Sequence, residues 1–405
     1  MNLTTTSEQA SISQSASQFP LRMYAVVIPG MEALAVAELN NLSAHAMQIE
    51  EGGVKFSGTW ETLFRVNLRA RLITRVLLRV GKFQADNPEK LATSVQKLNW
   101  SQFIRPGDEV QIEVSTHRSR LRHTELIAQT IRQGIAHAIS KKVVAAGNLQ
   151  RVFVRLVNNR CTISIDTSGE RLDRRGYRQQ AVEAPVRETI AAAVLAWMDW
   201  QPHTPLCNPM CGSGTLAIEA AMLAMKIAPS LSHDFPFIHW PTFKEKLWKR
   251  VLDKSSHMQG HIPVSIMASD QLSKAVTASQ HNAALAGVST AISFEQKNIF
   301  DLKSEAWVRT GANTVASDVP ARNTAGLVVC NPPYGIRLDA DAQQLYANIG
   351  NWFRFNAKDA GAVSWEMAIF SPDKACSKAL GLKIKRKLRL RHGGRWLDIL
   401  HVRND

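Results

Sequence analysis

The stretch LCNPMCGSGT at Leu206–Thr215, running straight into LAIEAAMLAM at Leu216–Met225, decides the fold. An apolar strand end enters a Gly-x-Gly turn, and a helix follows at once. Gly212 and Gly214 allow left-handed backbone and close approach of a ligand, because no Cβ intervenes. The helix start behind them offers unpaired N–H groups. This suits a nucleotide-like ligand, such as a dinucleotide or S-adenosylmethionine. The dinucleotide fingerprint is incomplete, since Leu216 and Ala217 follow Gly214-Thr215. A helix start with no ligand also fits the turn taken alone.

Downstream, strands and helices alternate, as in a doubly wound parallel sheet. Val264–Ser269 reads as the next strand, with Asp270 at its C-terminal end. A carboxylate there can accept both ribose hydroxyls, although Asp270 lies far beyond the usual spacing of about 20 residues. Its other reading is a helix N-cap. The extra length is Pro229–His261, read as a helical insertion packed on the sheet, with the aromatic segment Phe235–Trp240 inside it. Ala291–Phe294 reads as the third strand. Asn298 follows, either as a hydrogen-bond partner for an adenine ring or as an ordinary turn residue.

The second chemical motif is Asn331-Pro332-Pro333-Tyr334-Gly335, at the end of the apolar strand Gly326–Cys330. Open α/β sheets bind ligands at this end. The prolines fix the backbone and carry no N–H. The Asn331 side-chain oxygen and the Pro332 carbonyl can then accept both hydrogens of an exocyclic amine. That grip favours a pyramidal nitrogen with an available lone pair. Tyr334 can stack on the base, worth about 1–3 kcal/mol. A base so held must be flipped out or unpaired.

Upstream, residues 1–19 are rich in Ser, Thr and Gln and read as a disordered tail. Residues 20–80 alternate strand and helix as a small α+β unit, with strands at Met23–Ile28, Val54–Ser57 and Ile73–Val80. Residues 81–170 hold strands at Glu109–Thr116, Val152–Leu156 and Thr162–Asp166. Their helix, Glu125–Ile139, is capped by Thr124. This block reads as a binding module, with Arg118, Arg120 and Arg122 as its basic contacts. From about Arg171 the doubly wound sheet takes over and runs to residue 405, led by a helix at Glu183–Trp200 opened by Pro185.

The chain has 405 residues, more than one ordinary domain. A 45% hydrophobic content fills real cores and excludes wholesale disorder. No apolar run reaches membrane-spanning length, and the N-terminus lacks signal-peptide character, so a cytoplasmic location is expected. The net charge of +15 points to a polyanion, nucleic acid or an anionic membrane surface. Five scattered cysteines lack metal-site spacing and are expected to be reduced thiols, so no metal is expected.

Four stretches carry a family resemblance: FRVNLRARLITRVLL at Phe64–Leu78, GYRQQAVEAPVRETIAAAVL at Gly176–Leu195, NPMCGSGTLAIEAA at Asn208–Ala221 and NPPYGIRL at Asn331–Leu338. The chain resembles the THUMP-containing class I methyltransferases that modify the exocyclic N2 of guanine in RNA, in particular the single-domain 23S rRNA enzymes. The resemblance implies a Rossmann-like methyltransferase sheet behind an N-terminal ferredoxin-like and THUMP module. It implies S-adenosylmethionine as methyl donor and structured RNA, rRNA or else tRNA, as partner. It places Arg187, Thr189, Asn208, Pro209, Cys211, Gly212, Gly214, Thr215, Asp270 and Asn298 around the cofactor. Asn331, Pro332, Pro333 and Tyr334 would hold the target base. The family usually has Asp where Asn208 and Asn298 stand. Asn keeps an acceptor oxygen but loses the charge, which motivates a second reading as a catalytically weak RNA-binding assembly factor. A third, DNA adenine methylation, would use the same amine grip.

The C-terminal KIKRKLRLR at Lys383–Arg391 puts Lys383, Lys385, Lys387, Arg389 and Arg391 on one face at period two. It reads either as a phosphate-contacting strand or as a charged edge that blocks aggregation. Trp396–His401 reads as the last, antiparallel strand.

Overall fold

The computed structural model describes residues 20–139, 147–182, 185–257, 265–304, 326–333, 339–359 and 365–403. The expected tail at 1–19 and Tyr334 lie outside them.

The first layer of structure contains β1 (Leu21–Val27), α1 (Glu32–Asn41), β2 (His45–Glu50), β3 (Gly53–Gly58), α2 (Trp60–Arg69) and β4 (Ile73–Gln84). It continues with α3 (Pro88–Gln96), β5 (Glu109–His117), α4 (Thr124–Ala138), β6 (Leu149–Val157) and β7 (Arg160–Asp166). All seven strands form one sheet in the order β2-β3-β1-β4-β7-β6-β5. The twelve-residue β4 pairs with β1 through its first half and with β7 through its second. The expected division at residue 80 therefore falls inside a strand that both halves share. Local chemistry fixes the corners. Thr59 and Thr62 form a reciprocal capping box at α2. Asn158 and Asn159 take φ of 51° and 60° between β6 and β7, as a tight hairpin of right-handed twist requires. Thr124 begins α4 rather than capping it, since His123 occupies the cap.

The second layer comprises α5 (Glu188–Trp197), β8 (Leu206–Pro209), α6 (Thr215–Ala224), α7 (Glu245–His257), β9 (Ile266–Asp270), α8 (Ser273–Leu285) and β10 (Ile292–Gln296). Then follow β11 (Gly326–Cys330), α9 (Asp339–Asp359), β12 (Trp365–Ser371), α10 (Lys374–Ala379), β13 (Ile384–His392) and β14 (Arg395–Arg403). The sheet order is β10-β9-β8-β11-β12-β14-β13. β8 to β12 run parallel, and β14 is antiparallel to both neighbours. The order reverses between β8 and β11, which puts a ligand crevice at their C-terminal ends. The leading helix starts at Glu188, after Arg187, so Pro185 stands outside it and not in its first turn.

The insertion differs from expectation. It does not lie on the second sheet; its aromatic segment packs on the N-terminal unit. Phe64 of α2 sits 4.8 Å from Phe237 and 5.5 Å from Trp248, ring centre to ring centre. Phe103 sits 5.0 Å from Trp240, whose indole N–H donates to Gln150 Oε1 at 2.9 Å. Burying so many large rings welds the layers together.

A buried ion cluster completes the seam. Glu219 of α6 is fully buried, 3.5 Å from Arg71 and 3.4 Å from Arg175, and accepts from the Tyr177 hydroxyl at 3.3 Å. Arg71 also donates to the carbonyls of Met222 and Ile227, at 3.1 and 2.6 Å, closing the C-terminal end of α6. Glu38 accepts from the backbone N–H groups of Arg71 and Leu72. Burial pushes the Glu38 carboxyl up.

Candidate active site

The site grows from the ends of three adjacent strands. Cys207 stands opposite Val328 and Met267, and Pro209 opposite Ser269. The loops after β8, β9 and β11 therefore leave side by side.

The glycine turn is fixed from below. Met210, Gly212 and Gly214 all have positive φ, at 67°, 56° and 82°. A Cβ on Gly214 would lie 3.0 Å from the Ser279 side chain, so both its conformation and its surroundings require glycine. The Cys211 N–H donates to the Ser269 carbonyl at 2.8 Å, and Gly212 N–H to Asp270 Oδ2 at 3.0 Å. Asp270 Oδ1 accepts from Leu272 N–H at 3.0 Å. Asp270 therefore braces the turn against β9, and the N-cap position of α8 belongs to Leu272. Two helix residues unmarked by sequence hold the turn from behind. Ser279 Oγ donates to the Gly212 carbonyl at 2.8 Å. Asn282 Nδ2 donates to the carbonyls of Ser213 and Gln180, at 3.0 and 2.8 Å, while its Oδ1 accepts from Gln179 and Gln180 N–H groups. Their spacing of three on a buried helix face was the available signal.

Several acceptors at this end are left open. The Asn208 amide donates to the Val329 carbonyl at 2.8 Å, which fixes its orientation, because only the NH2 group can donate. Its Oδ1 is buried without a protein partner, as are Thr189 Oγ1, Thr215 Oγ1, Ser269 Oγ and Asn331 Oδ1. Unpaired buried polar atoms cost about 1–3 kcal/mol each, so five near one crevice fit a polar ligand. Asn331 is half-buried, Pro332 buried and Pro333 exposed. The corner thus opens outward, beside the turn that carries Met210, whose sulfur lies 3.8 Å from Cys330 Sγ.

Asn298 is not placed this way. Its Oδ1 accepts from Phe300 N–H and its Nδ2 donates to Gln271 Oε1, at 3.0 and 3.1 Å. It caps a short turn, as the plainer reading of the sequence has it. Arg187 is half-buried at the start of α5, and it and Arg178 help hold the His392 imidazole below its ordinary range, where burial is the main cause. Arg178 pairs with Glu188 at 2.8 Å, yet burial pushes that carboxyl up to about 7. The five cysteines are free and buried; burial raises the Cys207, Cys211 and Cys330 thiols. Among the described residues, no group of three or more His, Cys, Asp or Glu side chains is gathered as metal ligands, and no helix is long and apolar enough to cross a membrane.

The basic residues sit in two places. Arg118, Arg120 and Arg122 are exposed on the loop after β5. The C-terminal stripe is broken by an irregularity in the pairing of β13 between Ile384 and Arg386, so Lys385 leaves the common face. Lys387 lies 3.3 Å from Asp398 and Lys385 4.0 Å from Glu366. Lys383 precedes the strand.

A strand order that reverses at a glycine turn, with an Asn-Pro-Pro corner next to it, defines a class I methyltransferase sheet. The chain belongs to the RMKL-like methyltransferase family, whose domain model matches residues 175–398. An RlmL ferredoxin-like domain matches 22–77 and a THUMP domain 85–166. The Synechocystis protein named "Putative RNA methyltransferase" is 29% identical, the match covering 92% of this chain and 94% of that one. The large-subunit rRNA methyltransferase K/L of Syntrophotalea carbinolica is 29% identical across 92% of this chain, which spans only 52% of it. SMU.472, crystallised with S-adenosylhomocysteine, is 28% identical with a TM-score of 0.83, over 96% of this chain and 99% of that one.

Proposed function

We propose that the protein methylates the exocyclic N2 amine of a guanine in structured RNA, most simply 23S rRNA, with S-adenosylmethionine as donor. The observation that carries this reading is Asn331 Oδ1, a buried acceptor with no protein partner on a corner open to the crevice. S-adenosylmethionine supplies an activated sulfonium methyl when bound. Gly212, Gly214, Asn208, Thr215 and Asp270 line the place for it, and Thr189 stands in the helix alongside. Asn331 and the Pro332 carbonyl accept the two amine hydrogens and turn the nitrogen lone pair outward. Positioning and this polarisation supply most of the rate, so no covalent enzyme intermediate is needed.

The test is transfer of labelled methyl groups to rRNA that lacks the mark, followed by nucleoside analysis. N2-methylguanosine is expected. Methyladenine in DNA or RNA would overturn the guanine assignment, and modification of tRNA alone would replace the substrate. Asn298, held within the protein, favours the weaker assembly-factor reading. Calorimetry separates the two: micromolar binding of S-adenosylmethionine is expected, and no binding would support the assembly factor.

A further inference from the structure

The N-terminal sheet buries one face against its helices and leaves the other open. Along β6, Val152, Val154 and Leu156 are buried, while Arg155 is exposed and Arg151 and Phe153 are half-buried. On this open face β1, β3, β4, β6 and β7 build a concavity of about 1070 Å3. Arg22, Lys55, Arg79, Lys82, Arg155 and Arg160 line it, against a single carboxylate, Glu50, which Lys55 already holds. Arg79 is fixed in place, 4.6 Å over the Tyr24 ring and donating to Ser164 Oγ at 2.9 Å. A protein that needed only a solvated sheet face would interleave both signs of charge there.

The concavity also continues into the exposed arginines after β5. Arg120 N–H donates to Asn159 Oδ1 at 2.7 Å, and Asn159 N–H to Ser119 Oγ at 3.1 Å. That basic loop is thus stapled to the β6–β7 turn, whose Asn158 and Arg160 line the concavity.

We propose that this open sheet face is an RNA-docking surface that takes the sugar–phosphate backbone of the substrate away from the target base. The inference rests on the RNA reading given above and adds to it the place where the rest of the RNA lies. The observations that favour RNA over an acidic protein segment are the shape and the charge. The hollow spans both halves of the sheet, and fixed guanidinium groups suit phosphate oxygens.

The test is a triple variant, Arg22→Gln, Arg155→Gln, Arg160→Gln, at three exposed positions. Binding to undermethylated rRNA is measured across a salt series, with S-adenosylmethionine affinity as the check on folding. Affinity is expected to fall tenfold or more at low salt. The slope of log affinity on log salt should shrink by roughly 0.7–0.9 for each phosphate that is no longer neutralised. An independent readout is a photoreactive label on Gln84→Cys within the concavity, compared with Glu125→Cys on the helical side. Crosslinking to RNA from the first and not the second is expected. Unchanged affinity and slope, with no preference between the labels, would overturn the docking face while wild-type methyl transfer to rRNA stands. Failure of the wild type itself to bind or methylate any RNA would overturn the RNA reading and this surface with it.

Discussion

Two buried polar clusters in this molecule are answered in opposite ways. At the seam, Glu219 meets two guanidinium groups and a phenol, and Arg71 closes the end of α6. At the ends of β8, β9 and β11, the Asn208, Ser269 and Asn331 side chains each keep a buried oxygen that no protein group answers. A closed cluster is what structure alone requires. An open one is destabilising unless something else completes it, so its presence marks where a ligand goes. Both clusters are joined by one helix: α6 starts at the glycine turn and ends on Arg71.

The sharpest way to break this contrast is to remove one member from each cluster. Glu219→Ala leaves Arg71 and Arg175 without their counter-charge and should cost about 3–5 kcal/mol, read as a lower urea midpoint. Asn331→Ala should do the reverse. Loss of an unanswered acceptor should leave stability unchanged or slightly raised, while turnover falls by about 10²–10³ with cofactor binding retained. If both variants unfold alike, the contrast is wrong. Asn208→Asp lies between them. The carboxylate cannot donate to the Val329 carbonyl, so a loss of about 1–3 kcal/mol is expected in denaturant titrations.

The next effect is in pH. Burial holds Glu188 at about 7 and Asp166 at about 6, above their ordinary values, although Arg178 and Arg75 lie beside them. A carboxyl raised on folding binds more protons in the native state. Stability should therefore be greatest below the ordinary carboxylate range and fall as pH rises towards 7. Glu188→Gln should flatten that fall by roughly 1–3 kcal/mol, measured as unfolding midpoints against pH. The smallest effect belongs to Lys387→Ala. Its exposed pair with Asp398 is worth less than about 0.5 kcal/mol, so thermal midpoints should barely move.

The parts legible in sequence were those written in local signals. The glycine turn, the strand before Asn331 and the Asn158-Asn159 hairpin depend on neighbours within a few residues, and each stands where its residues indicate. What sequence did not show depends on partners far along the chain. β2 was missed because its exposed residues give no alternating core signal. α3 was missed because only Leu91 and Val95 are buried along it. The aromatic insertion could be recognised as apolar, but its target, α2, lies well over a hundred residues away. Glu219 sits in an otherwise apolar helix. That anomaly was visible, but its arginine partners were not.

The strand β4 has a consequence for anyone who would treat the front of this chain as a detachable cassette. Cutting within it leaves two raw margins, each with a row of orphaned amides and carbonyls that invite mispairing. A graft onto another enzyme would have to carry everything from β1 through β7, and would still arrive with Trp60, Phe64 and Phe103 stripped of the rings that cover them.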